Sequence, residues 1–139
     1  MADLVALAMV AAMKAKPMKL VPGVGYFDCP IEECTHVKLK FPGPVGMLHL
    51  PVILKGTRDG TNCWTWNGDT EKPTLRPSVL TQGTWRITDE EHATLMAGGK
   101  VEPRPYRCHT WVNDGQAQFL DDCSHELRGQ TVDMLEPDL

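Results

Sequence analysis

Arg107-Cys108-His109-Thr110-Trp111-Val112-Asn113-Asp114-Gly115-Gln116-Ala117-Gln118-Phe119-Leu120-Asp121-Asp122-Cys123-Ser124-His125 reads as two short strands around an Asp114-Gly115 turn. That dipeptide tolerates the positive φ angles a type I′ hairpin needs. Each arm carries one Cys and one His, so four metal-capable side chains fall within one local hairpin. With a two-residue loop, Asn113 pairs with Gln116, Cys108 falls opposite Asp121, and Cys123 lies just beyond it on the same face. Cys108 and Cys123 can then share one ion while His109 points to the other face. A one-residue bulge at Gly115 swaps this and brings His109 towards Cys123. The register decides which residue is a ligand. Any one of the four alone reads more simply as an ordinary core residue; the constellation is what points to a metal.

The 139 residues suit one domain, large enough for a real core but too small for two cores and a linker. A composition of 42% hydrophobic and 23% charged residues is that of a soluble globular protein. The formal charge of −4, with no basic run, argues against binding nucleic acid by phosphate neutralisation. Five cysteines without a secretory signal read better as thiolate ligands in a reducing compartment than as disulfides, so the expected location is the cytoplasm.

Residues 2–16 (ADLVALAMVAAMKAK) predict a helix ended by Pro17 and apolar almost all round. It is too short to span a bilayer and lacks the positive start of a signal peptide, so no membrane partner is expected. The chain is thereby divided into an N-terminal apolar helical extension, residues 1–20, and a β-rich domain, residues 21–139. Being apolar almost all round, the helix should be buried, either on its own domain, the plainer reading, or against another subunit in a homo-oligomer. Gly25 to Asp28, His36 to Phe41, Leu48 to Lys55 and Asn62 to Trp66 read as strands between Gly and Pro turn signals. Trp64 and Trp66 share one face as core or groove-lining residues, and Cys63 on the other face is expected to be a buried bystander. Thr88 to Ala97 predicts a short inserted helix, with Thr88 and Glu91 forming a capping box and Gly98 ending it; His92 on it should be solvated. The fold class expected is mainly β: a small zinc-stapled antiparallel β domain with an N-terminal helix and one inserted helix.

The upstream half of the expected metal site is Cys29-Pro30-Ile31-Glu32-Glu33-Cys34-Thr35-His36. Two cysteines four residues apart can aim both thiolates at one tetrahedral ion at about 2.3 Å. Zinc is favoured because thiolate-rich sites select it by softness and geometry. Cys29, Cys34, Cys108 and Cys123 would close a four-thiolate site, with His36 or His125 as substitute for one of them.

Tyr26-Phe27-Asp28-Cys29-Pro30, Trp64-Thr65-Trp66-Asn67-Gly68-Asp69, the run from Glu71 to Val79, Cys108-His109-Thr110-Trp111-Val112 and the run from Gln118 to Val132 resemble a small domain family of unknown function. That family is widespread in phages and prophages, and its members sometimes carry the label ammonia monooxygenase. The resemblance spans roughly Gly25 to Pro137. Related domains lie beside bacterial ubiquitin-like conjugation genes, which by association implies a peptidase or an accessory role. Relatives look more like Cys-x2-Cys with a later His where this chain has Cys-x4-Cys-x-His.

Two classes of function follow. The first is a zinc-binding phage-type accessory protein that is a small hydrolase, a peptidase or isopeptidase acting on a peptide substrate. A catalytic zinc could take His109, Cys123 and His125 if the hairpin is bulged. Alternatively the zinc is structural and His109 or His125 serves as base for Ser78. In the two-residue-turn register His109 is free to act as the base, and Asp122, on the same face, could orient its imidazole. The plainer reading of Ser78 is a turn residue beside Pro77, and that of His109 a hydrogen bond within the core. The second class is a non-catalytic zinc-stapled module that engages or inhibits a host protein.

Overall fold

The computed structural model describes residues 13–54 and 63–138. Alternation of apolar and polar residues dominates them, and alternation places every second side chain on one face of a strand. In β3 (His36–Phe41) Val37, Leu39 and Phe41 are buried, and in β8 (Gln116–Phe119) so are Ala117 and Phe119. The other strands are β1 (Ala15–Val21), β2 (Gly25–Asp28), β4 (Gly46–Leu54), β5 (Trp64–Trp66), β6 (Leu75–Thr84), β7 (Pro105–Asn113) and β9 (Thr131–Asp133). They form one nine-stranded sheet in the order β2-β1-β3-β4-β5-β6-β7-β8-β9. Every pairing is antiparallel except β4 with β5. The mainly β expectation therefore holds.

The sheet curls so that its two halves share one core, in which Leu39 and Phe41 of β3 meet Trp66, Leu75, Val112, Phe119 and Met134. The end of the chain closes the curl, since Met134 N–H donates to Gly115 O and Leu135 N–H to Lys40 O.

Of the expected N-terminal helix, residues 2–16, the part on residues 2–12 lies outside the described residues, and Met13 and Lys14 are not helical. From Ala15 onward the expectation is corrected: Ala15 and Lys16 are the start of β1 and pair with Leu39 and Lys38. Helix propensity is overridden because Ala15 is fully buried in the sheet's core. Pro17 is tolerated because β2 pairs with β1 only from Met18 onward, so a ladder runs along one side of Pro17 alone. Sheet structure thus reaches into the segment assigned to the extension.

The inserted helix α1 (Asp89–Met96) is present with the predicted capping box: Thr88 Oγ1 accepts from Glu91 N–H, and Glu91 Oε1 accepts from Thr88 N–H. His92 is exposed on it. Trp66 is fully buried and Trp64 packs against the core, but Cys63, just before β5, is only half-buried. Among the described residues no helix is long and apolar enough to cross a membrane.

Candidate active site

The hairpin adopts the two-residue loop. Asn113 pairs with Gln116 and Thr110 with Phe119, while Asp114 and Gly115 take φ of 50° and 78°. A side chain at Gly115 would also bring its Cβ to 3.1 Å from Glu71 O and 3.2 Å from Lys72 Cα. The turn needs glycine for its backbone angle and for close packing. With the register set, Cys108, Thr110 and Val112 face the core, and His109 and Trp111 face away from it.

The strand opposite is interrupted where it matters. Leu75 pairs with Val112 and Val79 with Thr110, so Arg76, Pro77 and Ser78 oppose Trp111 alone. Such a bulge re-aims side chains. Arg76 ties it to both strands, donating from one guanidinium nitrogen to Leu75 O at 2.7 Å and Val112 O at 3.4 Å while lying over the Trp111 ring. Leu80 is paired directly with His109, and Ser78, two residues earlier, falls on the same face. Ser78 is thus not the turn residue of the plainer reading.

Ser78 Oγ lies 2.8 Å from His109 Nε2, and His109 Nδ1 lies 3.0 and 3.2 Å from the two carboxylate oxygens of Asp122. In the neutral imidazole, Nδ1–H donates to Asp122 and Nε2 is left to accept from the Ser78 hydroxyl. This is the geometry of a nucleophile, a base and an orienting acid. Arg107 donates twice to Asp122, at 3.0 and 3.2 Å. Partial desolvation works against ionisation, but the bonds from His109 and Arg107 outweigh it and hold the Asp122 carboxyl below the usual carboxylate range. The carboxylate is therefore charged at neutral pH, as an orienting acid must be. Both ring nitrogens of His109 are engaged in this chain, so the bulged-hairpin alternative, with His109 as a metal ligand, is not formed.

Two supports were not anticipated from the sequence. Trp64 Nε1–H donates to Ser78 O at 3.3 Å and fixes the backbone at Ser78. Arg107 N–H donates to Ser124 Oγ at 2.7 Å, and Ser124 N–H donates to Arg107 O at 2.9 Å, which docks the turn carrying Asp122 on β7. The Trp-x-Trp spacing and the Arg beside Cys108 were the available signals. The motif residues Asn67 and Asp69 brace the approach to β6: Asn67 Oδ1 accepts from Asp69 N–H and Thr74 N–H, and Asp69 Oδ1 accepts from Glu71 N–H and Lys72 N–H.

A second group sits behind the Ser78–His109–Asp122 chain, on the core side. Ligand atoms of Cys108, Cys123 and His125 lie within 4.8 Å of one another, and this group could hold a metal ion. Burial pushes the Cys108 thiol up to about 11 and the His125 imidazole down. His125 Nε2 is buried without a hydrogen-bond partner, an orphan that a metal would satisfy. The other expected ligands are elsewhere: Cys29 follows β2, at the far end of the strand order, and Cys34 packs on the core after the 3-10 turn Ile31–Glu33. Neither joins Cys108 and Cys123 in a ligand group. His36 is not in the group either; its Nδ1 is 2.9 Å from Thr35 Oγ1 and its ring meets the edge of Tyr26.

No curated protein and no solved structure matches the chain. Residues 16–120 match the family model described as bacterial ubiquitination-like system serine protease (BubE), a span that includes Ser78 and His109 and ends two residues before Asp122. The link to bacterial ubiquitin-like conjugation implied by the sequence motifs is thus borne out, and the chain belongs to the BubE family of bacterial ubiquitination-like system serine proteases.

Proposed function

We propose that the protein is a serine peptidase that cleaves the peptide or isopeptide bond at the tail of a ubiquitin-like protein. The observation that carries the reading is the unbroken hydrogen-bond chain Ser78–His109–Asp122. His109 Nε2 takes the Ser78 hydroxyl proton as Oγ bonds to the scissile carbonyl carbon, and returns it to the departing amine as the C–N bond breaks. Water then attacks the acyl-serine with His109 again as base, releasing the carboxylate and restoring Ser78. Asp122 keeps the imidazole in the required tautomer and stabilises the imidazolium that forms. Substrate class comes from the family description, which names a ubiquitination-like system. Beside Ser78 the strand is exposed at Arg76, Pro77 and Leu80, and in this reading the extended tail lies along that strip.

In the same reading the metal suited to Cys108, Cys123 and His125 is zinc, since two sulfurs and an imidazole match its softness. It stands apart from the bond-breaking step, which Ser78 performs. The five cysteines, all among the described residues, form no disulfide, which suits a reducing compartment such as the cytoplasm. The test is Ser78→Ala: turnover of a ubiquitin-like fusion substrate should fall by about 10⁴-fold or more while the melting temperature holds. Undiminished turnover in that variant sinks the proposal.

A further inference from the structure

We infer that a zinc ion held by Cys108, Cys123 and His125 is a positioning clamp for the triad, fixing His109 and Asp122 relative to each other without entering the reaction. The inference rests on the serine-peptidase reading above. It starts from the interleaving of the two groups in sequence and space. His109 directly follows Cys108, and Asp122 directly precedes Cys123, so base and orienting acid are each one peptide from a sulfur of the group. The Cys123 sulfur also touches the backbone of the base: His109 N–H donates to it at 3.2 Å, and its S–H donates to His109 O at 3.2 Å.

The segment that carries Asp122, Cys123 and His125 needs such a tie. It is turn rather than strand, held to β7 by the Ser124–Arg107 pair and the exposed Arg107–Asp122 ion pair. A metal joining Cys108 of β7 to Cys123 and His125 of the turn spans the junction that Asp122 must bridge to reach His109.

The local hydrogen bonds accommodate the ion. Each cysteine loses its S–H proton to solvent as its sulfur binds. The Cys123 thiolate keeps the His109 N–H donor, the outer-shell contact that orients a ligand. It stops donating to His109 O, which still accepts from Leu120 N–H at 2.9 Å. His125 Nδ1 accepts from Leu127 N–H at 3.3 Å, the long end of the range, which leaves the ring proton on the orphaned Nε2. A metal at Nε2 moves that proton to Nδ1 at the expense of the weak contact.

The experiment compares full-length protein as purified, after stripping with a chelator, and after refilling with zinc or cadmium. Elemental analysis should find about one zinc per chain. A fluorophosphonate probe should label Ser78 about tenfold or more slowly in the stripped protein, with kcat on a fusion substrate reduced and KM held. Cadmium should restore the labelling, because the metal acts only by position. Long-range proton–nitrogen NMR should show the His125 proton on Nε2 without metal and on Nδ1 with it. Equal labelling with and without metal, or no zinc in folded protein, overturns the inference, as does cadmium-loaded protein that is folded but does not label. Should stripping unfold the chain, the cadmium arm still decides, together with His125→Cys, which keeps three ligands: labelling near the wild-type rate supports the clamp, and zinc retained with labelling lost overturns it. If no form labels while the zinc content and the His125 proton shift persist, the peptidase reading falls and the positioning role with it, but the metal site stands.

Discussion

Replacing Asp122 by Asn is the sharpest probe of the triad, because it keeps the size and one oxygen and removes only the charge. Ionised Asp122 can only accept, so it forces the proton of neutral His109 onto Nδ1 and leaves Nε2 free to receive the Ser78 proton. An amide can instead turn its NH₂ towards Nδ1, which puts the proton on Nε2 and leaves the base unable to accept. In a buried triad the same change lowers turnover by about 10⁴. Here the Asp122 side chain is 42% exposed and His109 26%, so water can stand in for part of the lost charge. Arg107 pulls the other way, since its cation would remain beside a ring that must become an imidazolium. Weighing the two, the expected loss is about 10²- to 10³-fold in kcat with KM little changed. The assay is steady-state cleavage of a ubiquitin-like fusion, with fluorophosphonate labelling as a substrate-independent check. Turnover within about threefold of wild type in folded protein would refute the assignment of Asp122 as the orienting acid.

Other expectations test the supports. Trp64→Phe removes the hydrogen bond to Ser78 O, worth about 1 kcal/mol net; the melting temperature should fall by about 2–6 °C and kcat by up to about fivefold, as read by paired calorimetry and kinetics. Gly115→Ala meets both the φ of 78° and the backbone of Glu71 and Lys72, and should cost about 1–3 kcal/mol in denaturant titration. Thr88→Ala deletes the cap of α1, which has no buried residues; about 1 kcal/mol of local helix stability should be lost, visible as faster amide exchange at Glu91, with peptidase turnover unaffected.

Much of the site was legible because the relevant forces are short-ranged. Asp114-Gly115 dictates a loop type, the loop dictates the register, and the register separates His109 and Asp122 from Cys108 and Cys123. That chain of inference needs no knowledge of the rest of the fold. The capping box of α1 and the strands His36–Phe41 and Gly25–Asp28 were readable for the same reason. Ser78 was harder: it is 31 residues from His109, and beside Pro77 it has the local look of a turn.

Local sequence thus encodes the hairpin, the face that each of its residues occupies, and the family to which its motifs point. Which distant segments meet that hairpin depends on the folded sheet. The bulge of Arg76, Pro77 and Ser78 against Trp111 turns a serine towards the base, and no local propensity encodes it. Strand order, with β2 and β7 far apart in the sheet, keeps Cys29 and Cys34 from joining Cys108 and Cys123; spacing alone cannot tell two cysteine pairs that meet from two that do not. Ala15 and Lys16 became strand because burial against Leu39 and its neighbours outweighs a helix preference of a few tenths of a kcal/mol per residue, roughly. Contacts between residues far apart in the chain carry the larger energies, and only the folded sheet brings them together.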